Sequence, residues 1–108
     1  VPLHPARLRE RGYNQSLELA RVVARRFNLS LTTHAVKRVR ATPPQTTLTV
    51  SERRRNVRNV FRTASDFSGK RVAIIDDVMT SGHTANALAK CLRRAGAINV
   101  MVWVVARA

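Results

Sequence analysis

Two adjacent carboxylates, Asp76 and Asp77, follow an unbroken apolar run at residues 72–75. Such a run is typical of a parallel strand that is buried on both faces, and ligands of open α/β sheets bind at the carboxyl ends of strands. There, a pair of carboxylates can accept hydrogen bonds from the two hydroxyls of a ribose or help to hold Mg²⁺. The simpler alternative is a solvated strand end without a ligand.

The loop that follows is rich in hydroxyl groups and runs into a segment with the apolar spacing of a helix, residues 84–95. Free backbone N–H groups and the helix dipole at such a junction can bind a phosphate. Thr84 by itself is more simply a helix cap, but a carboxylate pair directly followed by a phosphate-binding loop predicts a ribose 5-phosphate site. The predicted phosphate-binding residues are Thr80, Ser81, Gly82, His83 and Thr84.

The charge of the chain is strongly unbalanced, because 108 residues include 20 basic and six acidic ones, giving a net charge of +14. Residues 1–62 hold 14 of the basic residues and three of the acidic ones. This excess favours an anionic partner, either a polyphosphate or a nucleic acid, and the 17 arginines suit bidentate phosphate contacts. A solvated basic surface without a dedicated partner is the alternative.

Composition excludes several classes of protein. The hydrophobic fraction of 44% is that of a globular domain, and no apolar run reaches the ~18 residues of a membrane helix. A single cysteine, Cys91, excludes a disulfide framework and a cysteine-rich zinc site. We therefore expect one domain in the cytoplasm, without a membrane partner. Because the chain begins with Val1 rather than Met, we also expect it to be N-terminally truncated, the C-terminal part of a longer protein.

The elements that must position these residues follow from periodicity and from turn residues. The alternation of strands and helices predicts an α/β fold, a mainly parallel twisted sheet flanked by helices. Phe27 and Trp103 are predicted to lie in the core. The predicted order is a strand ending at residues 1–3, a basic loop at 4–13, a helix at 15–27 capped by Asn14, a strand at 31–39, a polar stretch at 40–59 with a short helix from Ser51, a strand at 60–61, a strand at 71–76, a helix at 84–95 ended by Gly96, and a strand at 100–105.

Residues 72–84 closely resemble the motif with which type I phosphoribosyltransferases bind phosphoribosyl diphosphate (PRPP). The motif is an apolar strand, two acids, valine, any residue, threonine, threonine or serine, glycine, any residue and threonine. A similarity to the ComF/GntX-like branch of that family is found at residues 1–5, Arg7, and residues 11–16, 40–45 and 52–57. The resemblance covers nearly the whole chain, so it implies a single type I phosphoribosyltransferase-like domain over residues 1–108.

The resemblance implies a role for each part of the site. Asp76 and Asp77 would contact the ribose hydroxyls and help to hold Mg²⁺, in part through water. Residues 80–84 would bind the 5-phosphate. Residues 40–57 would form a flexible loop that closes over the reacting centre. The resemblance places these further residues at the pyrophosphate or at the reacting centre: Arg7, Arg11, Gly12, Arg53 and Arg54.

The reaction implied by the resemblance transfers a phosphoribosyl group from PRPP to a nitrogen nucleophile and releases pyrophosphate with the aid of Mg²⁺, which would make the protein a glycosyltransferase. Arginine side chains would stabilise the charge on the leaving pyrophosphate. The alternative is a non-catalytic or accessory nucleic-acid-binding protein of DNA uptake, with the basic residues 1–62 as its binding surface. The sequence names no acceptor and leaves an oligomer open.

Overall fold

A computed structural model describes residues 1–39, 49 and 60–108 of the chain. The described strands form two pairs, a parallel pair of β3 with β4 and an antiparallel pair of β1 with β2. Together with the helices they confirm the predicted α/β class. The elements are α1 (Pro5–Arg11), α2 (Gln15–Arg26), β1 (Val36–Arg38), β2 (Phe61–Thr63), β3 (Arg71–Met79), α3 (His83–Arg94) and β4 (Asn99–Arg107).

The unit β3–α3–β4 is the predicted strand–helix–strand motif. Its two strands pair in register from Arg71 opposite Asn99 to Met79 opposite Arg107. β3 is longer than predicted and includes both Asp76 and Asp77, which we expected to end or follow the strand. The expectation that the apolar run is buried on both faces is wrong, because Ile74 is the one residue of β3 that is buried.

The core lies between α3 and the strands. Leu88 and Leu92 are one helical turn apart on α3 and are at most 4% exposed. Gly96 follows the last residues of the helix with φ +107°, and a Cβ atom there would lie 2.8 Å from Cα of Ser68. The end of the helix therefore packs tightly against the turn before β3. The buried cluster consists of Val60, Phe61, Phe67, Ile74, Leu88, Ala89, Leu92 and Ala97.

Helix α2 packs against β3 and begins where the sequence predicts. The side chain of Asn14 accepts a hydrogen bond from the N–H of Leu17 at 3.2 Å, which confirms its role as the N-cap. Ser16 and Ala20 are buried on the face that meets the strand. Nearby, the nitrogen of Val1 donates to the carbonyl oxygen of Ile75 at 2.7 Å. The start of the chain thus lies beside β3, although residues 1–3 form no strand.

Residues 4–13, predicted as a loop, contain helix α1. Pro5 begins this helix, Nδ1 of His4 accepts a hydrogen bond from the N–H of Ala6 at 3.1 Å, and Gly12 ends it with φ +81°. Proline at the first helical position and glycine just after the last are the usual signals of a short helix. The prediction failed because it read only the basic composition of the segment.

The structure also corrects the predicted lengths of two strands and the predicted burial of two aromatic side chains. The strand expected at residues 31–39 is limited to Val36–Arg38, and the one expected at 60–61 is Phe61–Thr63. Phe27 is 66% exposed and Trp103 is 39% exposed, so their assignment to the core is wrong for the part of the chain described here. The helix predicted from Ser51 lies outside the described residues. None of the described helices is long and apolar enough to cross a membrane.

Candidate functional site

A cavity of about 510 Å³ opens at the carboxyl end of β3. It lies between the end of that strand, the loop before α3, one side of α1 and the first residues of α2. Nine of the residues predicted for the site line it, although two of them come from α1, more than 60 positions before the carboxylates. These nine are Arg7, Arg11, Asp76, Asp77, Thr80, Ser81, Gly82, His83 and Thr84.

Among the described residues, one predicted site residue, Gly12, does not line the cavity. Gly12 is exposed and ends α1 instead. Arg53 and Arg54, together with the predicted closing loop at 40–57, fall outside the described residues apart from Thr49. The roles of Arg53 and Arg54 therefore stay predictions.

Asp76 is held by two protein donors on the same oxygen atom. The hydroxyl of Ser16 donates to Oδ1 at 2.8 Å, and the backbone N–H of Asp77 donates to it at 3.0 Å. Burial raises the pKa of Asp76, while these two hydrogen bonds act to lower it. The carboxylate is thus oriented by the fold, in surroundings that disfavour its charge.

Asp77 is less buried than Asp76, and its pKa is lowered rather than raised. Its Oδ1 accepts a hydrogen bond from the N–H of Val78 at 2.8 Å. Burial acts to raise the pKa of Asp77, but the bond from Val78 and hydrogen bonds with the side chains of Asp76 and Gln15 lower it overall. Two adjacent carboxyls with opposite shifts form an interacting pair. Asp77 is the one that carries negative charge more readily.

The beginning of α3 has the features of an anion site. Gly82 is its N-cap residue, with φ +83° and no side-chain capping bond, and the first turn contains no acidic residue. The N–H of His83 lies 3.5 Å from Oγ of Ser81. Backbone donors at a helix N-terminus favour negative charge. The hydroxyls of Thr80, Ser81 and Thr84 line the same part of the cavity.

Besides the nine predicted residues, four polar or charged residues for which the sequence predicts no individual role line the cavity: His4, Gln15, Ser16 and Arg38. Arg38 lies with its guanidinium carbon 5.5 Å from the centroid of the Phe61 ring. Burial and the nearby charge of Arg7 lower the pKa of Arg38, and the charge of Asp76 opposes them. Arg38 therefore adds a cation to the wall that Arg7 and Arg11 form. Gln15 and Ser16 belong to a stretch that carried the family resemblance, while Arg38 had no local signal.

The polar groups around the cavity suit Mg²⁺ bound together with a phosphorylated ligand. In the described part of the chain, two buried side-chain atoms have no hydrogen-bond partner, Oε1 of Gln15 and Nδ1 of His83. No described group of three or more His, Cys, Asp and Glu could hold a metal without other ligands. Mg²⁺ commonly uses one or two carboxylates plus phosphate oxygens and water. Asp76 and Asp77, with the acceptor oxygen of Gln15 beside them, fit that requirement.

Comparison with known proteins agrees with the motif and the fold. Residues 14–108 match the model of the phosphoribosyl transferase domain family. The chain belongs to this family. It is 40% identical to Competence protein F of Haemophilus influenzae over its whole length, and 39% identical to the DNA utilization protein YhgH of Escherichia coli K12 over 99% of it. It is also 38% identical to YhgH of Salmonella typhi.

These relatives place the chain in the ComF-like branch of the phosphoribosyl transferase family. The matched regions make up 48% of Competence protein F and 47% of YhgH. The chain therefore spans about half the length of the curated relatives it matches. The search of solved structures gave no significant match.

Proposed function

We propose that the cavity binds PRPP with Mg²⁺ and transfers its phosphoribosyl group to a nitrogen nucleophile, releasing pyrophosphate. The observation that supports this proposal is that three kinds of ligand-binding group line the same cavity. The carboxylates of β3, the anion-binding start of α3 and the arginines of α1 share one cavity. Its volume of about 510 Å³ lies in the usual range for small-molecule sites. A family model that matches residues 14–108 supports the same ligand class.

Each part of the cavity suits one part of PRPP. The carboxylates of Asp76 and Asp77 accept hydrogen bonds from the ribose hydroxyls, and residues 80–84 surround the 5-phosphate with N–H and O–H donors. Arg7 and Arg11 lie on the α1 side of the cavity and bind the pyrophosphate. This arrangement fixes the sugar between its two phosphorylated ends.

The chemistry that these residues support is the departure of pyrophosphate from the anomeric carbon. Negative charge develops on the leaving group, and the cations of Arg7, Arg11 and Arg38 stabilise it from positions set before the reaction. When bound, Mg²⁺ supplies further neutralisation of the pyrophosphate oxygens, with Asp76 and Asp77 as the residues that hold it. The acceptor nitrogen must approach the opposite side of the sugar.

Binding is tested by calorimetric titration of Mg²⁺–PRPP into the protein and into the double variant Asp76→Asn/Asp77→Asn. We expect saturable binding by the wild type and a loss of at least about 100-fold in the variant, since two hydrogen bonds to charged groups disappear. Glu10→Gln/Glu18→Gln, which removes two exposed carboxyls, is the control for the change in net charge. Absence of binding by the wild type, or equal binding by the double variant, would refute the proposal.

Transfer is tested separately by incubating the protein with Mg²⁺–PRPP and a panel of nitrogen nucleophiles while pyrophosphate release is measured. We expect release that depends on one nucleophile and is abolished in the double variant. Binding without release for any nucleophile would leave a PRPP-binding domain and would remove the transferase part of the proposal.

A second candidate function, binding of nucleic acid, is favoured by exposed arginines outside the cavity. Arg9 on α1 and Arg25 and Arg26 in the last turn of α2 are exposed. Basic surfaces bind nucleic acid through phosphate contacts, so affinity falls steeply with salt. Titration of single- and double-stranded DNA at increasing salt tests this function. Charge reversal at Arg25 and Arg26 should weaken DNA binding and leave PRPP binding unchanged.

A further inference from the structure

Among the described polar and charged residues, Ser16 alone is buried. Only 4% of its surface is exposed. It lies in the first turn of α2, and its hydroxyl donates to Oδ1 of Asp76, 60 positions later in the chain. A buried hydroxyl needs a partner, and a carboxylate is the strongest acceptor available to it. The bond therefore ties α2 directly to the acidic end of β3.

The two carboxylate oxygens of Asp76 have different surroundings, with Oδ1 bound by protein donors and Oδ2 left to meet a ligand. Oδ1 accepts hydrogen bonds from the Ser16 hydroxyl and from the N–H of Asp77, at 2.8 and 3.0 Å. Two donors from different elements fix the rotation of the carboxylate. Oδ2 is then the oxygen that meets a ligand hydroxyl, in an orientation set before the ligand arrives.

The start of α2 is itself held in place, which makes Ser16 an effective anchor. Asn14 caps the helix by accepting a hydrogen bond from the N–H of Leu17, and its Nδ2 donates to the carbonyl oxygen of Val1 at 3.1 Å. Gln15, between Asn14 and Ser16, lines the cavity beside Asp77. The first turn of α2 therefore contacts both carboxylates of the pair.

We propose that Ser16 is a positioning residue, whose hydroxyl holds the Asp76 carboxylate in the orientation that receives a ribose hydroxyl. This inference rests on the proposed binding of PRPP in the cavity. It goes beyond that proposal because Ser16 acts through Asp76 and not on the phosphates. A loss of the Ser16 hydroxyl should accordingly weaken recognition of the sugar and leave recognition of phosphate intact.

The test compares two ligands in Ser16→Ala. Mg²⁺–PRPP reports on sugar and phosphates together, and inorganic phosphate reports on the loop before α3, through the amide NMR signals of residues 80–84. We expect PRPP to bind about tenfold more weakly, the effect of one hydrogen bond to a charged group, while phosphate affinity stays within twofold of the wild type. Ser30→Ala, which removes an exposed hydroxyl after α2, is the matched control and should change neither affinity.

A second variant, Ser16→Cys, has a side chain of similar size but only a weak hydrogen-bond donor. We expect it to show the same selective loss of PRPP affinity, and it replaces Ser16→Ala if that variant does not fold. Ser16→Thr restores a hydroxyl and should recover part of the affinity. PRPP affinity within twofold of the wild type in Ser16→Ala or Ser16→Cys would overturn the inference, as would equal losses for both ligands. Failure of the wild type to bind PRPP would instead remove the proposed function, and this inference with it.

Discussion

Strand β3 has two regions that differ in what surrounds them. At its middle, Ile74 is buried with Leu88 and Leu92 of α3 in a cluster made of apolar side chains. Two residues further on, Asp76 and Asp77 lie beside buried or half-buried polar groups, some of which have no partner in the described part of the chain. The apolar region stabilises the fold, while the polar region keeps hydrogen-bonding groups that are available to a ligand.

This difference implies that stability and ligand binding can be changed independently. Substitutions in the apolar region should lower the free energy of unfolding and leave the affinity of the folded protein for PRPP intact. Substitutions in the polar region should instead weaken PRPP binding, with smaller effects on the free energy of unfolding.

Leu92→Ala removes a side chain that is 3% exposed and belongs to the apolar cluster. We expect the free energy of unfolding to fall by about 2–5 kcal/mol, because apolar transfer and packing are both lost. Urea unfolding followed by circular dichroism measures this change, with Leu29→Ala as the control because Leu29 is 50% exposed. If Leu92→Ala weakens PRPP binding under conditions where the variant is folded, the two regions are not separable.

Gly82→Ala places a Cβ atom on a residue with φ +83°, a conformation that costs an L-residue about 1–2 kcal/mol. The nearest atom is Sδ of Met79 at 3.7 Å, so the cost comes from backbone strain rather than from a clash. We expect the start of α3 to relax and PRPP to bind about tenfold more weakly in calorimetry.

Gly69→Ala is the matched control for that substitution. Gly69 has φ +73° and open space around its Cα, but it lies in the turn before β3. It should cost similar stability and leave PRPP affinity unchanged. Equal affinities for Gly82→Ala and Gly69→Ala would show that the loop before α3 takes no part in binding.

The smallest expected effect concerns Asp76, whose pKa burial raises above its ordinary value of 3.8. The protonated form is therefore favoured in the folded state, so this group stabilises the fold most below pH 3.8 and loses that contribution as the pH rises through the folded-state value. Asp76→Asn does not titrate, and its stability relative to the wild type should increase as the pH rises from 4 to 7. Urea unfolding of both proteins across that range measures the difference.

Asp66 provides the opposite case. Hydrogen bonds from Ser68 lower its pKa, so its contribution is present above the ordinary value of 3.8 and is lost as the pH falls through the folded-state value. Asp66→Asn should therefore be less stable than the wild type at neutral pH and approach it in acid. Identical pH profiles for the two variants would contradict the assigned environments.

Local patterns were sufficient to predict the β3–α3–β4 unit, because a continuous apolar strand and a helix ended by glycine are both encoded within a few residues. The carboxylates and the loop before α3 were likewise found from adjacent residues. Pro5 and Gly12 mark the ends of helix α1, but the basic composition of residues 4–13 favours a loop, and the two signals conflict. The exposure of Phe27 and Trp103 depends on which elements cover them, and no local pattern contains that information.

Contacts between distant parts of the chain were the least predictable part of the site. Ser16 meets Asp76 across 60 positions, and its sequence neighbourhood shows only the beginning of a helix. Arg38 enters the cavity from a three-residue strand whose own pattern indicates no ligand. Such residues are identified by the packing of α2 and β1 beside the end of β3, which depends on the whole fold.

The central claim, that the polar end of β3 is a ribose-phosphate site, is tested most directly by amide chemical-shift changes on addition of Mg²⁺–PRPP to the ¹⁵N-labelled protein. We expect the largest changes at residues 76–84 and at Gln15 and Ser16, with small changes at Leu88 and Leu92. No change on titration, or largest changes confined to the exposed arginines Arg25 and Arg26, would contradict it.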